Sequence, residues 1–309
     1  MQATTNQALP LGYKIQDYII QKVLSAGGFS FVYLARDAAG ETVAIKEYLP
    51  TALALRAEGE HVEAMTESLG SFRYGLKCFF EEGRSLATIN HKNIVRVINF
   101  FRGNNTVYMV MQYERGQSLQ DLILGQPEPV NEHFVRLVFG ELLNGLREVH
   151  SQKLLHLDIK PANIYIRQDR TPVLLDFGSA RQTLSGVQPT LPPSYTPGFA
   201  APEQHTDHKL LGPWSDVYSV GATMYACMVR AAPMSAGLRA EKDRLVPAKK
   251  IGKDTYSEAL LEIIDNCLAI DHMQRPQSVF ALQKSLIENV PRMEKDPSLL
   301  TSLKNYLRK

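Results

Sequence analysis

Cysteine is scarce in this chain of 309 residues: Cys78, Cys227 and Cys267 are odd in number, far apart and in no C-x-x-C pair. That excludes a disulfide framework or a cysteine-based zinc site, and it fits a reducing cytoplasm. An excess of either charge is also missing. Lys and Arg number 34 against 32 Asp and Glu, a balance that gives no reason to expect nucleic acid as a ligand. No uncharged apolar run approaches the ~20 residues that span a bilayer. The opening MQATTNQALPLGYK lacks the charged-then-apolar layout of a signal peptide. A soluble cytoplasmic chain without a membrane segment is therefore expected. There is no internal repeat and no low-complexity tract. What is present is an ordinary globular composition, 44% hydrophobic and 21% charged, sufficient for one large bilobal domain or two modest ones.

Short β-prone runs dominate the first part. Tyr18 to Leu24, Phe31 to Arg36 and Thr42 to Lys46 are separated by Gly27-Gly28 and Ala39-Gly40. Ile94 to Phe101 and Val107 to Met111 flank the turn Gly103-Asn104-Asn105. A small antiparallel sheet is expected, interrupted by one helix in which Phe72, Leu76, Phe79, Gly83 and Leu86 recur at helical spacing. After Gly116 the pattern turns helical. Asn131 is a candidate cap for a helix with the stripe Phe134, Val135, Leu137, Val138, Leu142, Leu146 and Val149. Further helices are expected over Ser215 to Met228, Ser257 to Ala269 and Gln277 to Glu288, with strands at Ile164 to Arg167 and Pro172 to Leu175.

The most specific pattern is His156-Leu157-Asp158-Ile159-Lys160-Pro161-Ala162-Asn163, followed by Asp176-Phe177-Gly178. Phosphoryl transfer needs an oriented nucleophile, metal on the phosphates and compensation of developing charge. A carboxylate at Asp158 can take the acceptor's hydroxyl proton. Asn163 and Asp176 offer the oxygen ligands that Mg²⁺ prefers, and Lys160 can steady the transferring group. The bland alternative, a polar turn between two strands, leaves the order and spacing of both motifs unexplained.

On these motifs the chain resembles the eukaryotic-like protein kinases, from about Tyr18 to Leu286. The resemblance implies an α+β, bilobal fold: an N-terminal antiparallel sheet lobe with one regulatory helix, and a mostly helical C-terminal lobe. The implied kinase domain is 18–290, with lobes 18–113 and 114–290, between an N-terminal extension at 1–17 and a basic tail at 291–309. Val43-Ala44-Ile45-Lys46 matches the family's strand lysine, which pairs with a helix glutamate, here Glu82, with Glu81 the less favoured choice. Ala201-Pro202-Glu203 matches the end of the activation segment. Asp216 matches the buried aspartate opening a large helix, and Arg275 the arginine that pairs with Glu203.

The same resemblance places ATP between the lobes with Mg²⁺, or Mn²⁺ in its place. The nucleotide-binding residues it implies are Leu24, Ser25, Gly27, Gly28, Val32, Ala44, Lys46, Met111, Gln112, Tyr113, Tyr165, Asn163 and Asp176, with Asn163 and Asp176 on the metal. Met111 is the implied gatekeeper and Tyr165 the floor, where the family more often has an aliphatic residue. By resemblance Thr196 lines the acceptor site and bonds to Asp158 and Lys160, which favours Ser/Thr of a protein substrate as acceptor. Thr183, Ser185, Thr190 and Ser194 are candidate autophosphorylation sites in the activation segment. Lys46-Glu47-Tyr48-Leu49-Pro50, Phe72-Arg73-Tyr74-Gly75-Leu76 and Thr196-Pro197-Gly198-Phe199 are similar to a group of bacterial serine/threonine kinases. Residues 48–70 are then a family insertion, read either as functional or as an inert surface loop.

Several features depart from the common pattern. The glycine-rich stretch reads Ser25-Ala26-Gly27-Gly28-Phe29-Ser30-Phe31-Val32, with serine at two usual glycine positions. That change and Leu157 are the features that lean toward the alternative of an ATP-binding scaffold without turnover. A small-molecule kinase is disfavoured by Ala201-Pro202-Glu203. Gly83 stands in mid-helix, read either as close packing or as a helix able to swing Glu82 from Lys46. His205 and His208 are read as exposed histidines rather than a metal pair. The tail, with Arg292, Lys295, Lys304, Arg308 and Lys309 against Glu294 and Asp296, is a solvated face or a site for a docking partner.

Many kinases carry Arg before the catalytic Asp, where it receives an activation-segment phosphate; Leu157 cannot make such charge-assisted bonds. Phosphatase-treated protein is therefore expected to keep its activity. Inactivity that a phosphate on residues 179–195 restores would contradict this.

Overall fold

Alternating apolar and polar residues in the N-terminal region build a six-stranded antiparallel sheet in the computed structural model, which describes residues 6–56, 59–177, 181–182 and 195–288. Its strands are β1 (Lys14–Ile15), β2 (Tyr18–Ala26), β3 (Ser30–Arg36), β4 (Thr42–Tyr48), β7 (Val97–Gly103) and β8 (Thr106–Gln112). They lie in the order β1-β2-β3-β4-β8-β7. The β7–β8 turn uses Asn104 and Asn105 at φ 50° and 60°, the backbone that a tight hairpin demands and that Asn tolerates. A two-stranded ladder of β5 (Ala54–Leu55) and β6 (Glu63–Ala64) follows β4, and α1 (Leu69–Leu86) comes next. Buried Phe72, Gly75, Phe79, Gly83 and Leu86 form the inner face of α1. A Cβ at Gly83 would stand 3.3 Å from Met109 Cε and 3.6 Å from Phe100 Cβ. This glycine thus faces β7 and β8 at van der Waals distance, and a Cβ there would require the Met109 methyl to shift by a few tenths of an ångström.

The described residues divide into two compact units, the first through Arg115 and the second from Gly116. At the heart of the first lies a charge pair. Period-2 alternation puts Val43, Ile45 and Glu47 on the opposite side of β4 from Ala44 and Lys46. Glu47 is fully buried, and Arg56, also fully buried, reaches it with both terminal nitrogens. Tyr33 and Tyr108 donate their hydroxyls to the same carboxylate at 2.7 and 2.6 Å. Burial pushes both phenols above their ordinary pKa, and Glu47 beside them adds to the shift. The N-terminal extension joins this network. Leu9 N–H donates to Tyr33 OH at 3.2 Å, and Arg56 donates to Gln7 O at 3.2 Å and to Asn6 Oδ1 through its backbone at 2.7 Å. The reading of residues 48–70 as an inert surface loop is therefore corrected: Leu49, Ala54, Arg56 and Val62 from this stretch are core residues.

The second unit is mainly helical. It comprises β9 (Gly116–Ser118), α2 (Leu119–Gly125), α3 (Glu132–Ser151), β10 (Leu154–Leu155), β11 (Ile164–Arg167), β12 (Pro172–Leu174), β13 (Arg181–Gln182), α4 (Pro202–His205), α5 (Pro213–Val229), α6 (Ala236–Glu241), α7 (Ala248–Ile251), α8 (Glu258–Cys267) and α9 (Val279–Glu288). Asn131 caps α3 by accepting from Phe134 N–H at 2.8 Å, as its sequence position implied. Ser257 caps α8 in the same way. Helix α5 is buried almost from end to end, so neighbours cover every face. The short helices α2, α6 and α7 escape periodicity because each is under two and a half turns. No helix among the described residues is long and apolar enough to cross a membrane.

Removing Arg56 would leave the Glu47 carboxylate buried beside two phenols. Arg56→Met is expected to cost about 3–5 kcal/mol, seen as a lower thermal midpoint. Adding Glu47→Gln to that variant should recover part of the loss, because the uncompensated charge is then gone.

Candidate active site

The segment from His156 to Asn163 joins β10 to β11, and its backbone is held by buried groups outside it. Asp216, fully buried near the start of α5, accepts from His156 N–H at 2.9 Å and from Leu157 N–H at 2.8 Å. Its Oδ2 also lies 2.7 Å from His150 Nε2. Burial by itself raises a carboxyl pKa, but these bonds and the neighbouring imidazoles outweigh it and hold Asp216 below its usual value. Leu157 adopts φ 61°, a left-handed conformation costly for a γ-branched residue. The bonds from Asp216 fix it there.

His156 is a second pivot. Its Nδ1 accepts from Asp158 N–H at 3.2 Å, and its Nε2 lies 3.1 Å from Leu175 O. One neutral tautomer satisfies both contacts, with Nε2 donating. The ring also packs on Phe177, 4.4 Å between centroids. Leu175 N–H donates to Asn163 O at 2.8 Å. Asp176 thus lies between two anchored residues, itself at φ 54°.

These supports bring four predicted residues together. Lys160 Nζ lies 2.7 Å from Asp158 Oδ2, and Asn163 Nδ2 donates to the same oxygen at 2.9 Å. Thr196 Oγ1 donates to Asp158 Oδ1 at 2.8 Å and accepts from Lys160 at 2.7 Å. The Asp158 side chain is 15% exposed, so its oxygens are reachable yet largely shielded. Gly198 allows the chain beyond Thr196 to turn: it has φ 90°, and a Cβ there would stand 2.6 Å from Pro233 O. Glu203 is held by Arg275 at 2.8 and 3.0 Å and by Ser215 Oγ at 2.7 Å. Tyr165, half-buried on β11, donates to Gly116 O at 2.8 Å.

In the first unit, the register pairs Val32 with Lys46, Lys46 with Met109, and Ala44 with Met111. Paired residues share a face, so the predicted nucleotide residues Val32, Ala44, Lys46 and Met111 occupy one side of the sheet. Met111 is buried at the end of β8. Gln112 is exposed and Tyr113 half-buried. Lys46 Nζ lies 5.6 Å from the centroid of the Phe79 ring on α1. Glu82 is one turn beyond Phe79 on that side and half-buried, whereas Glu81 is exposed and 3.9 Å from Arg84. Leu24 and Ser25 lie exposed at the end of β2. The turn after them is closed by Gly27 N–H to Ser30 O at 2.9 Å. Thr51 ties it down, donating to Gly28 O through its backbone at 2.9 Å and its hydroxyl at 3.0 Å.

Thr183, Ser185, Thr190, Ser194, Gly178 and the 291–309 tail lie outside the described residues. His208 is exposed, but His205 corrects its expectation: it is half-buried, its ring 4.0 Å from that of Tyr195. No group of three or more His, Cys, Asp or Glu side chains arranged for a metal occurs among the described residues. Asn163 and Asp176 still suit Mg²⁺, which takes one or two protein oxygens and completes its shell with water and phosphate. Sequence reasoning passed over Thr51 and Gln204. Gln204 had a signal, since Gln at the third position of a helix characteristically reaches back to the cap N–H.

Burial pushes the His156 imidazole below its ordinary value of 6.5 despite the Asp216 and Asp158 charges nearby. The unfolded chain therefore binds a proton that the folded one refuses. This contribution to stability is complete above pH 6.5 and lost as pH falls toward the depressed folded value. The thermal midpoint should drop on acidification from pH 7 to about 5, and drop less in His156→Gln.

A protein kinase domain model matches residues 18–287. The solved structure of PpkA-294 in its apo form aligns with a TM-score of 0.80 and 35% identity, over 90% of this chain and 99% of that one. Serine/threonine-protein kinase D of Synechocystis sp. is 26% identical over 278 residues, 87% of this chain and 51% of the relative. Serine/threonine-protein kinase PknL of Mycobacterium tuberculosis is 28% identical over 236 residues, 76% of this chain and 55% of the relative. The chain spans about half the length of these curated relatives. With the geometry around Asp158 above, these likenesses make the chain a member of the protein kinase domain family, with bacterial serine/threonine kinases among its relatives.

Proposed function

We propose that this protein transfers the γ-phosphoryl group of Mg-ATP to Ser or Thr hydroxyls of protein substrates, its own activation segment included. The observation that carries this reading is the set of bonds converging on the Asp158 carboxylate from Lys160, Asn163 and Thr196. In the second unit, Asp158 orients the acceptor hydroxyl and takes its proton as the new O–P bond forms and the bond to the β-phosphate oxygen breaks. Lys160 offsets charge on the transferring group. Asn163 commits its amide nitrogen to Asp158, which leaves its oxygen for the metal beside Asp176. Mg²⁺, or Mn²⁺ in its place, supplies charge neutralisation on the phosphates. In the first unit, Lys46 contacts the inner phosphates, oriented by Glu82, and the turn from Ser25 to Ser30 covers them. Met111, Gln112 and Tyr113 take the gatekeeper and hinge roles.

Thr196 between Asp158 and Lys160 supports Ser/Thr rather than Tyr as acceptor. The free thiols of Cys78, Cys227 and Cys267 support a reducing, cytoplasmic location. Near-neutral net charge disfavours nucleic acid as a partner.

Phosphate transfer from Mg-ATP by the wild type and by Asp158→Asn, with phosphosites mapped by mass spectrometry, tests the reading. Loss of the general base should lower the rate by about 10²–10⁴-fold. Equal transfer by both proteins would remove Asp158 from the chemistry. ATP binding with no transfer by either would favour an ATP-binding scaffold.

A further inference from the structure

Leu157 directly precedes Asp158, and both polar groups of its strained backbone are bonded to distant residues. Its N–H donates to Asp216 Oδ1 at 2.8 Å, and its carbonyl accepts from Gln204 Nε2 at 2.9 Å. The other end of that amide is also used: Gln204 Oε1 accepts from Ala201 N–H at 2.9 Å. Gln204 is 5% exposed, and the preceding Glu203 is clamped by Arg275 and Ser215. The amide is thus a rigid tie between the Ala201-Pro202-Glu203 segment and the peptide before the proposed catalytic carboxylate.

Where an arginine at 157 would couple this loop to a phosphate, the chain has a buried leucine and a neutral tie. We propose that Gln204 is a positioning residue that aligns Asp158 through the Leu157 carbonyl, so that alignment requires no phosphate on the activation segment. An arginine–phosphate link switches on with modification. An amide–carbonyl bond is made on folding and has no off state. The inference rests on Asp158 being the catalytic carboxylate.

Gln204→Met keeps the length and apolar volume of the side chain and removes both bonds, whereas Gln204→Glu keeps the acceptor for Ala201 and loses the donor to Leu157. Two readouts separate this role from simple support of the fold. In phosphatase-treated protein, kcat should fall about five- to tenfold in both variants, with KM for ATP changed less than about twofold, and wild-type kcat should be unaffected by the phosphatase. Hydrogen exchange should accelerate about five- to tenfold at the amides of His156, Leu157 and Asp158, with those of α5 unchanged. The exchange arm reports on the tie even if wild-type protein transfers no phosphate, a result that would count against the proposed function alone. Unchanged exchange at these amides in Gln204→Met, parallel changes in kcat and KM, or loss of wild-type activity on phosphatase treatment would each overturn the inference.

Discussion

Asp216 accepts hydrogen bonds from the backbone of His156 and Leu157, lies within bonding distance of His150, and has no solvent exposure. Taking a carboxylate out of water costs several kcal/mol unless its lone pairs are filled. Three donors fill them here. That requirement works in both directions, because the same bonds that solvate Asp216 hold Leu157 in a left-handed conformation. The next residue, Asp158, is tied through its own N–H to His156 Nδ1. His156 then carries the constraint onward through Leu175 and Phe177 to the residues around Asp176.

The first unit solves a comparable problem with the opposite polarity of purpose. Its buried Glu47, paired with Arg56, stands on the strand that carries Lys46. Alternation along β4 puts Lys46 on one face and Glu47 on the other. Arg56, Tyr33, Tyr108 and the extension from Asn6 to Leu9 lock the Glu47 face. The stretch after Lys46 therefore serves twice. Its Arg56 completes the core, and its Thr51 pins the glycine-rich turn at Gly28. Serines in place of glycines leave that turn with less conformational freedom, and the Thr51 bonds define the shape it takes.

The strands of four or more residues, β12 and the long helices were legible in the sequence, because alternation over Thr42 to Tyr48 and helical spacing over Phe72 to Leu86 are local properties, whereas the two- and three-residue strands β1, β5, β6, β9, β10 and β13 were not. The cap at Asn131 was legible for the same reason: a side chain bonding an N–H three residues on needs no tertiary partner. Short helices such as α2 and α7 were not, since so few residues carry too little periodicity. Among the site residues, Asp158, Asn163 and Asp176 stood out through their order and spacing, and Lys46 through the family resemblance of Val43-Ala44-Ile45-Lys46. Glu47 carried a readable warning, a carboxylate in register with Val43 and Ile45, but nothing nearby named Arg56 as its partner.

The sequence by itself determined which side chains are available for chemistry, and in what order, because residue type and spacing decide donors, acceptors and local backbone. Only the tertiary structure decided that Gln204 grips the Leu157 carbonyl and that Asp216 reaches back to His156, while the meeting of Thr196 with Asp158 and Lys160 was already implied by the family resemblance. Each of these bonds joins residues dozens of positions apart. They form because packing of α5 and of the Ala201-Pro202-Glu203 segment excludes water and leaves buried polar groups with one another as partners.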